Sequence, residues 1–270
     1  MQTAYLSCDK VAGERNADCE LRGQMSERIR LDIALEQRGL AQSRARARDA
    51  VLRGTVWVNG IAAAKPGMLV ADSDAVAIDD PAQSYVSRAA LKLIAGLDAG
   101  AIEVTGKICL DLGASTGGFT QVLIERGAAK VYAVDVGHAQ LHARMRTMPG
   151  VVSMEGVNVR DLTRTEVPEL IDLLVCDISF VSLTKVLAAP LSLCRAHADA
   201  VLLVKPQFEV GRENVGRGGI VTDEDAIAAA VRHVIQFMAE QGWAHRLSVP
   251  SPIAGGDGNK EIVALFRRVG

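Results

Sequence analysis

The sequence predicts an α/β protein: a mostly parallel, seven-stranded sheet with helices on both faces, preceded by a small basic α+β module. Three observations carry that expectation. From residue 87 onward, apolar strand-like runs alternate with segments of helical spacing. The first of those runs enters a glycine-rich turn. Arginines, finally, crowd into residues 28–60. With 270 residues, 49% apolar and 23% charged, the chain can bury a large core, and wholesale disorder is excluded.

Residues 1–26 show neither helical nor strand periodicity and are expected to be a flexible leader. The basic module follows over residues 27–80. Leu31, Leu35 and Leu40 alternate with charged residues, which predicts a short amphipathic helix ending at Gly39. A second helix is expected from Ser43, its N-cap, to Gly54, with Ala47, Ala50 and Val51 on the apolar face. Arg44 and Arg48, four residues apart, project from a common side of it. Thr55–Val58, Asn59-Gly60 and Ile61 read as strand and turn, with another strand around Ala75–Ile78. Seven arginines against three acids give residues 28–60 a charge of +4, leaving −6 for the rest of a chain whose net charge is −2. A module of that kind suits a polyanion.

Turn and breaker residues in Asp79–Ser84 predict a linker over residues 81–86, joined to a body spanning 87–270. Strands are expected there at Ile108–Leu110, Val131–Val134, Val151–Met154, Leu173–Cys176, Val201–Val204, Leu247–Val249 and Ile262–Phe266. Helical spacing marks Phe119–Arg126 and Asp223–Gln241. The five cysteines form no CxxC pair and the five histidines are scattered, so neither a disulfide framework nor a metal site is expected. Cys109 and Cys176 lie in apolar runs and are expected to be small buried hydrophobes. The longest stretch free of charged residues, Leu112–Ile124, is shorter than the roughly 18–20 residues of a membrane span. The start MQTAYLSCDK carries no basic segment followed by an apolar run, so the expectation is a cytoplasmic protein without membrane contact.

Gly106–Phe119 reads as a strand, a glycine-rich turn and a helix start, at the strand end where open α/β sheets bind ligands. Asp135 closes the next strand candidate, 24 residues after Asp111, where a carboxylate can accept both hydroxyls of a ribose. The turn, Gly113-Ala114-Ser115-Thr116-Gly117-Gly118, does not match GxGxxG. Asp111 lies so close to it that a pyrophosphate would be repelled.

Four further charged residues stand at or near the ends of expected elements: Lys92, Asp177, Lys205 and Glu261. Lys205 follows Val201–Val204, a run suited to a fully buried strand, and precedes Pro206, which puts an ammonium on the functional rim of the sheet. Cys176-Asp177-Ile178-Ser179-Phe180 follows the fourth expected strand, and no Pro-Cys pair occurs anywhere in the chain.

Several strings in this chain resemble known families. Arg30-Leu31-Asp32, Leu35, Gly39-Leu40, Ser43-Arg44 and Gly54–Gly60 resemble an S4 RNA-binding domain, which implies that Arg28, Arg30, Arg44, Arg46 and Arg48 face an RNA backbone. The acid-led turn Asp111–Phe119 resembles the S-adenosylmethionine loop of class I methyltransferases, although Ser115 departs from the commoner glycine. Lys92, Asp177, Lys205 and Glu261 in that order resemble the tetrad of FtsJ-like ribose 2′-O-methyltransferases. An S4 domain followed by an FtsJ-like domain resembles the TlyA family, and the strings Tyr85–Leu93, Asp177–Leu183 and Val204–Arg212 carry the likeness from Arg28 to the C-terminus. The resemblance implies methylation of a cytidine 2′-hydroxyl in 16S or 23S ribosomal RNA, with ribosomal RNA or ribosomal subunits as partner and S-adenosylmethionine as cofactor. It implies cofactor contacts at Asp111, Gly113, Ala114, Ser115, Gly117, Gly118, Phe119, Asp135, Asp161, Asp177 and Phe180. Arg88 is expected to face RNA, and the loop from Gln207 to Gly219, which carries Arg212 and Arg217 amid glycines, is expected either to contact RNA near the target nucleotide or to serve as a mobile lid without RNA contact.

A ribose 2′-hydroxyl is a poor acid attacking an already activated methyl, so catalysis needs alignment and help with one proton. Neighbouring ammonium groups ease the release of a proton from one of them. The expected roles are Lys205 as base or oxyanion stabiliser, Asp177 and Glu261 as its positioners, and Lys92 as holder of the hydroxyl. The rival readings are a non-catalytic RNA-binding factor and a membrane-active protein, the latter suggested by the label haemolysin attached to the family.

Overall fold

The computed structural model describes residues 28–211 and 214–270; the expected leader and Arg212 lie outside the described residues. The chain divides into two compact units between Asp80 and Pro81. In the first, β1 (Ile29–Arg30), α1 (Leu31–Gln37), α2 (Arg44–Leu52), β2 (Val56–Val58), β3 (Ile61–Ala62), β4 (Leu69–Val70) and β5 (Val76–Ile78) follow in order. Gly39, at φ +69°, lies just beyond α1, and the Arg46 N–H donates to the Ser43 hydroxyl at the start of α2. Leu31 and Leu35 of α1 pack against Ala47, Ala50 and Val51 of α2 and against Val56 and Val58 beneath them. Asn59 and Gly60, both at positive φ, make the two-residue turn joining β2 to β3. The antiparallel pair β1–β4 is two residues long, too short to leave a periodic signature in the sequence. Two arginines of the basic stretch are tied into the module: Arg38 donates to the carbonyls of Asp74 and Ala71, and Arg53 pairs with the buried Asp80 at 2.5 Å.

The second unit opens with a 3-10 turn at Pro81–Ser84. Residues 81–86 are not a free tether, because the Gln121 amide donates to the Ser84 carbonyl and accepts from the Val86 N–H, each at 2.8 Å. Then come α3 (Ala90–Ala99), β6 (Ile108–Leu112), α4 (Gly118–Glu125), β7 (Lys130–Asp135), α5 (Ala143–Arg146) and β8 (Val151–Glu155). The remainder is β9 (Ile171–Cys176), α6 (Ala188–Ser192), β10 (Cys194–Val204), α7 (Pro206–Glu209), α8 (Glu224–Glu240), β11 (Trp243–Pro250) and β12 (Ile262–Arg268). All seven expected strands are present. β10 begins well before the expected Val201 because Arg195, His197 and Asp199 interrupt its apolar run.

The sheet order is β11-β12-β10-β9-β6-β7-β8. The five strands from β10 to β8 run parallel, while β12 is antiparallel to both its neighbours. Alternate residues feed two cores. Leu110, Leu112, Leu174 and Leu202 face one side; Cys109, Val175, Val201 and Leu203 face the other, under Leu93 and Leu97 of α3. Gly96 lets α3 lie close, since a Cβ there would stand 2.7 Å from Val263 and 2.9 Å from Val201. From β6 the chain builds outward through β7 and β8, then returns to lay β9 on the other side of β6. The carboxyl ends of β6 and β9 are therefore a topological switch point.

Candidate active site at the carboxyl rim of the sheet

The rim gathers residues that are far apart in sequence. Leu112 pairs with Cys176, so Gly113 and Asp177 leave the sheet side by side, and the Asp177 N–H donates to the Leu112 carbonyl at 3.0 Å. Gly113 has φ +80°, and a Cβ there would stand 3.1 Å from the Asp177 carbonyl and the Ile178 nitrogen. Gly117 closes the turn at φ +96°, where a Cβ would meet Leu141 and Met145 at 2.8 and 2.9 Å. Between them Ser115, also at positive φ, donates its N–H to Asp135 Oδ2 at 2.8 Å, while the Gly137 N–H donates to Oδ1 at 2.7 Å. Asp135 thus stands at the end of β7 with a fixed carboxylate.

The four charged residues singled out in the sequence converge. Antiparallel β12 starts where parallel β10 ends: Val204 pairs with Ile262, which puts Lys205 and Glu261 at the same edge of the sheet. Lys205 Nζ lies 2.6 Å from Asp177 Oδ1, 2.7 Å from Ser179 Oγ and 3.2 Å from the Asp177 carbonyl. Lys92, reaching in from the first turn of α3, pairs with Glu261 Oε2 at 2.5 Å. Both lysines and Glu261 are buried. Burial pushes the Glu261 carboxyl up, and the Lys92 ammonium opposes that shift. One expected role changes on this geometry: the direct partner of Glu261 is Lys92, and Lys205 pairs with Asp177.

A cleft of about 400 Å³ is lined by all four of these residues and by Gly113, Ala114, Ser115, Gly118, Phe119 and Phe180. A second, of about 420 Å³, shares Gly113, Ser115, Asp177, Ser179 and Phe180 and extends over Asp135 to Asn158, Val159 and Arg160. Gly117, within the turn, is buried and lines neither cleft. Asp161, expected at this end, is exposed and lies one residue past the lining segment. Asp111 lines neither cleft. It is fully buried, takes the Thr120 hydroxyl at 2.6 Å on Oδ2 and, among the described residues, has no hydrogen-bond partner on Oδ1. Burial pushes its carboxyl up to about 7, with the Thr120 hydrogen bond opposing.

Sequence reasoning missed Ser179, Asn158 and Asn259, whose roles depend on their neighbours in space. Buried Asn259 accepts the Val221 N–H and donates to the Gly219 carbonyl, fastening the 216–221 loop to the segment that leads into Glu261. Arg217 is exposed on that loop, and Arg88 is half-buried near Gly256. Phe180, 90% exposed and at φ +70°, stands at the mouth of both clefts with its ring 5.5 Å from that of Phe208. Cys109, Cys176 and Cys194 are buried, with burial pushing each thiol up to about 12. No group of metal-ligating side chains occurs among the described residues.

Seven strands in this order, with one antiparallel strand inserted beside the edge and a glycine turn at the switch point, define a class I methyltransferase fold. Comparison with known proteins agrees. Residues 85–268 match the FtsJ-like methyltransferase model and residues 29–76 the S4 domain model. The chain is 46% identical, over 90% of its length and 91% of the relative's, to the 16S/23S rRNA (cytidine-2′-O)-methyltransferase TlyA of Mycobacterium tuberculosis. It is 41% identical, over 72% of its length and 75% of the relative's, to the 23S rRNA (cytidine-2′-O)-methyltransferase TlyA of Campylobacter jejuni. The solved structure of a candidate hemolysin from Streptococcus thermophilus superposes with a TM-score of 0.70 at 36% identity, covering 90% of each chain. This chain belongs to the TlyA family of FtsJ-like methyltransferases with an S4 domain.

Proposed function

We propose that this protein transfers a methyl group from S-adenosylmethionine to the ribose 2′-hydroxyl of a cytidine in ribosomal RNA, in the cytoplasm. The observation that carries the reading is the meeting of two amines and two carboxylates in one cleft whose floor is the Gly113 turn. The relatives named above supply cytidine and ribosomal RNA.

The residues present fit the cofactor. Asp135 offers a carboxylate, steadied by two backbone N–H groups, for a ribose diol; Asn158–Arg160 wall the adjoining hollow; and the glycines of the turn let the backbone approach closely. Asp111, fully buried with Thr120 on its carboxylate, lines neither cleft and is not among the residues that would touch the cofactor. The cofactor, when bound, supplies a methyl group on a cationic sulfur. What remains for the chain is to hold one hydroxyl in line and to accommodate its lost proton. Lys92, fixed by Glu261, and Lys205, fixed by Asp177, flank the space for that hydroxyl. Among the partners of Lys205, Ser179 Oγ is the one a substrate hydroxyl can replace, and Lys205 then stabilises the oxygen as negative charge develops on it. Arg28, Arg44 and Arg48, exposed on the S4 domain, together with Arg217, supply backbone contacts to RNA. No described helix is long and apolar enough to cross a membrane.

The test is incubation of ribosomal RNA lacking its 2′-O-methylcytidine with the protein and S-adenosylmethionine, followed by nucleoside analysis. The reading predicts 2′-O-methylcytidine at one or a few positions. A methylated base, or no product from protein that binds the cofactor, contradicts it.

A further inference from the structure

Asp32 opens α1 and is buried. Its carboxylate receives Arg30 Nε at 3.0 Å and Arg30 Nη2 at 2.9 Å, and Arg44 Nε joins on Oδ2 at 3.1 Å. One buried carboxylate therefore clamps guanidinium groups from β1 and α2. The Arg30 guanidinium holds the Asp32 carboxyl down to about 2, so the anchor stays ionised wherever the protein is handled. Gly67 forms the wall behind Arg30: a Cβ there would stand 3.1 Å from Nη1. The turn carrying Gly67 is itself tied to the start of α1, with the Leu31 N–H donating to the Met68 carbonyl at 2.7 Å and the Asp32 N–H to the Pro66 carbonyl at 3.0 Å. Both arginine side chains nevertheless stay about half exposed, at 45% and 54%. Arg48, one turn along α2, lines the same open hollow.

We propose that Asp32 is a positioning residue that sets Arg30 and Arg44, with Arg48 at the open side, as one rigid receptor for a single backbone phosphate of structured RNA. The inference rests on the RNA-binding reading of the S4 domain and says how that surface is built. Arginine gives up substantial rotamer freedom when it grips a phosphate; a clamp that fixes two guanidinium planes beforehand removes that cost from binding. Planar guanidinium groups match phosphate oxygens in a way flexible point charges do not. Charge counting and positioning predict opposite signs here. Asp32→Asn removes a negative charge from the surface offered to RNA, so charge alone predicts tighter binding, whereas a lost clamp predicts weaker binding.

The experiment is titration of a labelled ribosomal RNA fragment with the full chain over a series of salt concentrations, for wild type, Asp32→Asn, Arg30→Ala, Arg44→Ala and the double arginine variant. Asp32→Asn is expected to bind at least about threefold more weakly. The double variant is expected to lose the salt dependence of one phosphate, about 0.7–0.9 in the slope of log affinity against log salt, rather than of two. Asp32→Asn binding as tightly as wild type or tighter overturns the inference, as does a double variant whose slope falls by two phosphates. Because Arg30 and Arg44 are exposed, their variants decide the matter even where Asp32→Asn does not fold. Failure of the wild type to bind RNA at all sinks the RNA reading itself; binding by the wild type that Asp32→Asn leaves intact sinks only the clamp.

Discussion

The Lys92–Glu261 pair offers the most direct energetic test of the rim. The two groups lie 2.5 Å apart with side chains only 8% and 3% exposed, so each is the main compensation for the other's burial. Glu261→Gln keeps the shape and removes the charge, leaving the Lys92 ammonium buried without a counterion. Breaking a buried pair from one side costs about 3–5 kcal/mol. In a domain of this size that corresponds to a fall in melting temperature of roughly 10 °C. Replacing both groups, as in Lys92→Met with Glu261→Gln, removes the stranded charge and fills its volume with an apolar chain. The double variant should regain most of the lost stability while remaining inactive, so the two changes couple by about 2 kcal/mol or more in a double-mutant cycle. Thermal and urea denaturation of the four proteins measure this. If the double variant is less stable than Glu261→Gln by the full cost of Lys92→Met alone, the two side chains do not depend on each other and the paired-charge description of the rim is wrong.

Asp111 carries a pH signature. Its carboxyl is raised to about 7 in the folded protein, so the folded state binds more protons than the unfolded one between about pH 4 and 7. Its contribution to stability is present below that window and lost as the pH rises through it; Asp111→Asn should flatten the decline in melting temperature over this range, and an unchanged profile counts against the buried carboxyl. Gly113→Ala forces a side chain into φ +80° and against the Asp177 carbonyl, which should cost about 1–3 kcal/mol and weaken cofactor binding at least tenfold by calorimetry. Asn259→Ala unfastens the 216–221 loop from the segment before Glu261, and should lower methyl transfer several-fold while leaving cofactor affinity intact.

The strands and the glycine turn were legible because their signals are local. Buried runs such as Val201–Val204 announce themselves, and Gly113 to Gly118 need unusual backbone angles within six residues. Lys205 was legible for the same reason, as a charge ending an apolar run. Glu261 is different: its place beside Lys205 depends on β12 running antiparallel, which periodicity does not report. The partition of the carboxylates, Glu261 to Lys92 and Asp177 to Lys205, is likewise a fact of three dimensions. Asp161 was singled out by the family resemblance, yet Asn158–Arg160 line the hollow, and the aspartate at the end of the 3-10 turn Val159–Asp161 is exposed to solvent. The basic module gives a parallel lesson. Counting arginines treats all seven alike, while Arg38 and Arg53 are tied to carbonyls and a buried aspartate inside the domain.

Lys205→Ala separates chemistry from binding most sharply. With ribosomal RNA and labelled cofactor, wild-type protein should place its methyl group on a cytidine 2′-oxygen, and the variant should lose at least about a hundredfold of that rate while calorimetry still registers cofactor uptake. Near-normal methyl transfer by a variant lacking that amine would show that the lysine–carboxylate rim is not where the sugar oxygen reacts.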